Sequence, residues 1–152
     1  MLHIALWEPE IPPNTGNIAR LSAATGCRLH LIGKLGFTID DKQLRRAGLD
    51  YWPSVDLRVH ASLADFEAEF QHLERIFCLS TRATRPYTQI PIQAGDCLMF
   101  GPESKGLPDH ILEQHRERAF VIPMPAAKVR SLNLSTAVGV VVYDGLRRLH
   151  SW

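Results

Sequence analysis

The sequence predicts an α/β fold, a mostly parallel sheet flanked by helices, on three observations. Short β-type runs alternate with helix-like segments from one end to the other. Turn and cap residues fall between them. The length, 152 residues of which 45% are hydrophobic, suits one compact domain spanning 1–152.

The first apolar run, 2–7, stops at Glu8 and reads as a buried strand, being too short for a signal peptide or a membrane span. A helix follows over 15–25, with Asn14 ahead of it and Gly26 behind it, and a strand over 28–33. A second helix is expected over 41–47, closed by Gly48, then a weak β-type run over 57–60. Ser62 and Asp65 resemble a capping box opening a helix over 63–70. Strands are expected over 75–80, 97–101 and 120–122, with a helix over 109–114 between the last two. Irregular stretches remain over 81–95 and 123–132, and long loops in a compact domain are where sites tend to lie.

The closing segment, 134–149, contains a valine-rich window that reads locally as strand. Leu134, Ala137, Val138, Val141, Gly145, Leu146 and Leu149 nevertheless recur at three- and four-residue spacing, which is one apolar stripe of a helix. Ser135, Ala137, Gly139 and Gly145 lie on or beside that stripe. They serve either ordinary core packing or a close approach of a second subunit.

Charge nearly cancels, 17 Lys+Arg against 16 Asp+Glu, so any polyanion must be met by a local patch. Cys27, Cys78 and Cys97 form no CxxC pair and sit in apolar runs, as reduced thiols of a cytoplasmic protein do. The seven histidines show no metal-ligand spacing, and no metal is expected.

Three segments place Gly, Pro and polar side chains where a strand gives way to a helix, the position at which parallel sheets bind ligands. The first, Asn14-Thr15-Gly16-Asn17-Ile18-Ala19-Arg20, is either a capped helix start or a phosphate site built from free amides and Arg20. The second runs from Leu98 to Pro108. It lacks the endings of a P-loop and of a dinucleotide fingerprint, but Gly101 and Gly106 would let a ligand approach the backbone and Glu103 offers an acceptor. The third joins Ile122-Pro123-Met124-Pro125 to Arg130-Ser131-Leu132-Asn133, with apolar residues suited to a purine ring and Ser131 or Asn133 as helix caps.

In these three segments the chain resembles the SPOUT methyltransferases, and among them the TrmL (YibK-like) tRNA 2′-O-methyltransferases. EPEIPPNTGN and DDKQLRRAGLDYW extend the likeness over essentially the full length. The resemblance implies a C-terminal deep trefoil knot, S-adenosyl-L-methionine (SAM) bound within it, a homodimer that completes the active site, and 2′-O methylation of the wobble nucleotide, cytidine or modified uridine, of leucine-type tRNA. It implies cofactor contacts at Leu79, Gly101, Ile122, Met124 and Ser131, mostly through backbone atoms, with Glu103 and Asn133 beside them. It points to Asn14 and Arg20 as catalytic positions and to Arg45, Arg46 and Tyr143 as RNA-docking residues. An arginine keeps its proton, so Arg20 is expected as phosphate anchor and electrostatic stabiliser rather than base. The alternative for Arg45 and Arg46 is a solvated helix face, and Arg82, Arg85, Lys128 and Arg130 are expected to extend a phosphate-tracking surface. The alternatives are a ribose methyltransferase for another tRNA or rRNA site, and an RNA-binding α/β module without catalysis.

Overall fold

The computed structural model describes residues 1–40, 42, 46 and 52–152. Six strands form one sheet: β1 (His3–Trp7), β2 (Arg28–Ile32), β3 (Leu57–His60), β4 (Ile76–Leu79), β5 (Cys97–Phe100) and β6 (Ala119–Phe120). They lie in the order β3-β2-β1-β5-β4-β6, and every described pairing is parallel. The α-helices whose bounds are described are α1 (Pro12–Thr25), α2 (Leu63–Phe70), α3 (Asp109–Gln114) and α4 (Leu134–His150).

The central strands are apolar on both faces, as a parallel sheet covered by helices requires. Leu2, Ile4 and Leu6 join Leu29, Leu31, Phe77, Leu79, Leu98 and Phe100 in a core with Ile18 and Ala19 of α1 and Val138, Val141 and Val142 of α4. The intervening residues, Ala5, Ile32, Ile76, Cys78, Cys97 and Met99, pack on the other face with Phe66 and Phe70 of α2 and Ile111 of α3. All three cysteines are buried and unpaired.

On that second face three imidazoles form a ladder. His30 Nε2 lies 2.9 Å from His3 Nδ1, and His30 Nδ1 lies 2.9 Å from His60 Nε2. Burial is the main cause that lowers the pKa of all three, that of His30 to about 3.

Expected boundaries shift by a residue or two at most elements; the first helix differs more. Asn14 does not precede α1 but lies within its first turn. The N-cap is Ile11, whose side chain has no capping group, and prolines occupy the first two helical positions. Proline lacks the N–H that a cap would satisfy, which frees Asn14 for other partners. Gly26 caps α1 in the left-handed conformation, and the Ser62 side chain accepts from Asp65 N in front of α2. Of the helix expected over 41–47, Lys42 and Arg46 are helical and exposed; Arg45 and the Gly48 stop lie outside the described residues.

Gly145 faces its own core: a Cβ there would meet Leu2 Cδ1 at 3.2 Å. It therefore serves packing within the chain. A Cβ on Gly139 would meet nothing within 4 Å.

Candidate active site

At the carboxyl ends of β4 and β5 lies a cleft of about 500 Å³, within the range of small-molecule sites. All seven residues expected on the cofactor side line it: Leu79, Gly101, Glu103, Ile122, Met124, Ser131 and Asn133. Asn14 lines it as well. Residues brought together from positions 14 to 133 thus share one wall, although no two of the three sequence segments are neighbours in the chain.

Side-chain hydrogen bonds wire the three segments to one another. Asn133 Nδ2 donates to Asn14 Oδ1 at 3.0 Å, and Asn14 Nδ2 donates to Glu103 Oε2 at 3.2 Å. Asn133 is also the N-cap of α4, its Oδ1 accepting from Thr136 N at 3.2 Å and from Ser135 Oγ at 2.6 Å. Glu103 accepts from the amides of Glu10 at 3.0 Å and Ile11 at 2.6 Å, so the residues leading into α1 are held by a carboxylate from another turn. Both oxygens of Glu103 are therefore occupied by protein donors. Asn14, 7% exposed, has both ends of its amide engaged and cannot titrate, which makes its contribution one of position.

The structure revises the reason for Gly101. A Cβ there would lie 2.2 Å from Gly106 C and from Leu107 N, so the glycine lets its own turn fold back on itself. A bulky substitution would disrupt the turn before it met any ligand. Gly106, at φ 67, supplies the left-handed residue of the same turn.

The outer ring of expected residues is more dispersed. Arg20 is exposed on α1 and is not among the residues lining the cleft; six residues beyond Asn14, it points about 120° away around the helix. Tyr143 is 48% exposed on α4. Lys128 and Arg130 are exposed in the 123–132 loop, and Arg130 reaches the cleft. Arg82 and Arg85 are exposed, yet both bond partners within the chain. Arg82 bonds Asp109 and the Leu107 carbonyl, while Arg85 bonds the Glu117 carbonyl and lies over the Phe120 ring at 4.5 Å. Their guanidinium groups stitch the loop after β4 to the α3–β6 region.

Sequence reasoning did not single out Ser80 and Thr81, which also line the cleft, as do Lys105 and Leu132 from within the second and third segments. For Ser80 and Thr81 the signal was available, since both immediately follow a strand end. Among the described residues no group of three or more His, Cys, Asp or Glu could hold a metal ion, and no helix is long and apolar enough to cross a membrane.

A parallel sheet with a cleft past its strand ends, lined mainly by turns, is the arrangement in which α/β proteins take small molecules at the carboxyl edge. The chain belongs to the SpoU rRNA Methylase family, whose model matches residues 1–143. It is 51% identical to a tRNA (cytidine(34)-2′-O)-methyltransferase of Yersinia pestis, over 98% of this chain and 94% of that protein. A solved structure described as giving insight into the 2-OH methylation of C/U34 on tRNA superposes with a TM-score of 0.91 at 48% identity, over 100% of this chain and 98% of the other. The AviRb methyltransferase of Streptomyces viridochromogenes, solved with AdoMet, shares the fold at a TM-score of 0.86 and 19% identity, over 100% of this chain and 62% of its own.

Proposed function

We propose that this chain is a SAM-dependent tRNA methyltransferase that methylates the 2′-oxygen of the nucleotide at position 34. The observation that carries the reading is the Asn133–Asn14–Glu103 chain of hydrogen bonds, which gathers three separate motifs around one cleft. Membership of a methylase family and relatives that act at position 34 over nearly the whole chain support it.

The cleft fits the donor chemically. Leu79, Ile122, Met124 and Leu132 offer apolar surface for a purine, and the turn at 101–106 brings backbone alongside. When bound, SAM supplies a methyl group on a good leaving group, so the protein's tasks are alignment and charge stabilisation, with no metal needed. Asn14 and Asn133 hold the walls of the cleft in register. Arg20, always charged, anchors a phosphate of the incoming nucleotide, and phosphate or solvent takes the 2′-proton.

Because Arg20 faces away from its own chain's cleft, the same proposal includes a homodimer in which α1 and α4 contribute to the joint surface. Thr136, Gly139, Val140, Tyr143, Arg147 and His150 support it: they form a stripe of exposed or half-exposed positions along α4. Arg45, Arg46 and Tyr143 are assigned to tRNA docking. The trefoil knot belongs to this reading too, supported by the 120–122 segment running beside the loop that leaves β4: Val121 N donates to Arg85 O and Tyr87 N to Val121 O. Buried, unpaired thiols suit a cytoplasmic setting.

Calorimetry with SAM followed by transfer of labelled methyl to bulk tRNA tests the proposal. Arg20→Ala should abolish turnover while SAM affinity stays within about threefold, since the guanidinium acts on the nucleotide. A large loss of SAM binding contradicts that role. SAM binding by the wild type without transfer to any RNA would favour a non-catalytic module.

A further inference from the structure

The segment Glu8-Pro9-Glu10-Ile11, between β1 and α1, presents two amides to Glu103 and is itself held on two sides. Glu8 holds φ at 46, a left-handed conformation that non-glycine residues seldom adopt. On the β2 side the segment is pinned: Glu8 Oε2 accepts from Lys34 N at 3.0 Å, and Pro9 O accepts from Gly36 N at 2.9 Å. The approach is close enough that a Cβ on Gly36 would lie 2.8 Å from the Glu10 backbone.

On the β5 side the contact is reciprocal. While Glu103 accepts from the amides of Glu10 and Ile11, Glu10 Oε1 accepts from Ser104 N at 2.8 Å and from Ser104 Oγ at 2.7 Å. Each turn lends a carboxylate to the other's amides, so neither can shift alone. The hydrogen bonds from Ser104 hold the Glu10 carboxyl below its usual range, the sign expected when the ionised form is the one that is bound. Ser104 belongs to the turn, Gly101 to Gly106, that lines the cleft.

We infer that Glu10 is a positioning residue, anchored through Glu8 and Gly36 to β2, that holds the 101–106 turn in the shape that receives the methyl donor. This rests on the reading of the cleft as the SAM site. Its effect falls on donor binding rather than on the transfer step, because Glu10 touches the turn and not the reacting atoms.

The test is SAM calorimetry and steady-state kinetics on full-length wild type, Glu10→Ala, Glu10→Gln and Ser104→Ala, with thermal midpoints alongside. Glu10→Ala should weaken SAM about tenfold and raise its KM in parallel, leaving kcat within about twofold and the midpoint within a few degrees. Glu10→Gln keeps an amide oxygen where both bonds converge and should restore affinity to within about twofold of wild type. Wild-type affinity in Glu10→Ala, an equal loss in Glu10→Gln, or a fall in kcat without a change in KM would each overturn the inference. Should Glu10→Ala fail to fold, Ser104→Ala decides: it deletes the hydroxyl bond alone, a two- to threefold loss is expected, and unchanged affinity overturns the inference. A wild type that binds no SAM overturns the cleft reading and this inference together, whereas binding that Glu10→Ala leaves intact overturns the inference alone.

Discussion

His30 uses both ring nitrogens, one on His3 and one on His60, and each contact needs one ring to donate and the other to accept. Neutral rings meet that condition, whereas a proton added to His30 puts a charge in a buried place flanked by Phe66. Arg28 also disfavours the charged ring, while Asp56 favours it; Glu69 favours protonation at the His60 end. The sign follows: the unfolded chain binds a proton near the ordinary 6.5, but native His30 refuses it down to about 3, so stability is complete above that ordinary value and falls as pH drops. Urea unfolding should show a loss of about 2 kcal/mol from His30 between pH 7.5 and pH 5. His115, lowered to about 4 by burial and Arg118, acts in the same direction. A flat profile to pH 5 would contradict the ladder. Asp96 is a second sensitive point: 1% exposed, it takes two bonds from Arg75, at 2.7 and 2.6 Å, and one from Gln93 N. Asp96→Ala should cost about 3 kcal/mol in the same assay, toward the lower end for a broken buried pair because Arg75 retains some solvent.

At the scale of elements, α4 does two jobs. Asn133 starts the helix and also holds Asn14, so Asn133→Ala should cost about 1 kcal/mol of stability through the lost cap, and in addition weaken SAM binding through the loosened α1 start. Asn133→Ser, which can cap but cannot reach Asn14, should recover the stability without the affinity. Gly139 tests the proposed subunit contact. In the isolated chain Gly139→Ala has open space and should gain about 0.5–1 kcal/mol from helix propensity. If another subunit's backbone lies against it, sedimentation should instead show a weakened dimer. The type of nearly every described element was legible in the sequence, because the central strands are buried on both faces and the three- and four-residue spacing over the 17-residue closing helix outweighs its valine-rich window. The start of α1 was not legible. Asparagine before an apolar run reads as a cap, whereas the carboxylate that holds the residues leading into α1, Glu103, comes from a turn about 90 residues away.

For the molecule as a whole, the three motifs were legible as ligand-binding turns from their residue types, but not as one wall. Their union depends on β1 lying beside β5 and β5 beside β4, a strand order that no local pattern encodes. Gly101 shows the same gap: glycine announced a close approach, and the fold decided that the approaching atoms are the protein's own. Arg82 and Arg85 were read by charge and loop position, yet found partners inside the chain. The central claim, that this cleft serves methyl transfer to the ribose of nucleotide 34, is tested most directly by one measurement. Bulk tRNA is incubated with the protein and methyl-labelled SAM, digested with nuclease, and the labelled nucleotide located by mass spectrometry. The account predicts label on the ribose of position 34 and none with Arg20→Ala. Label on a base, at another position, or in no tRNA at all would contradict it.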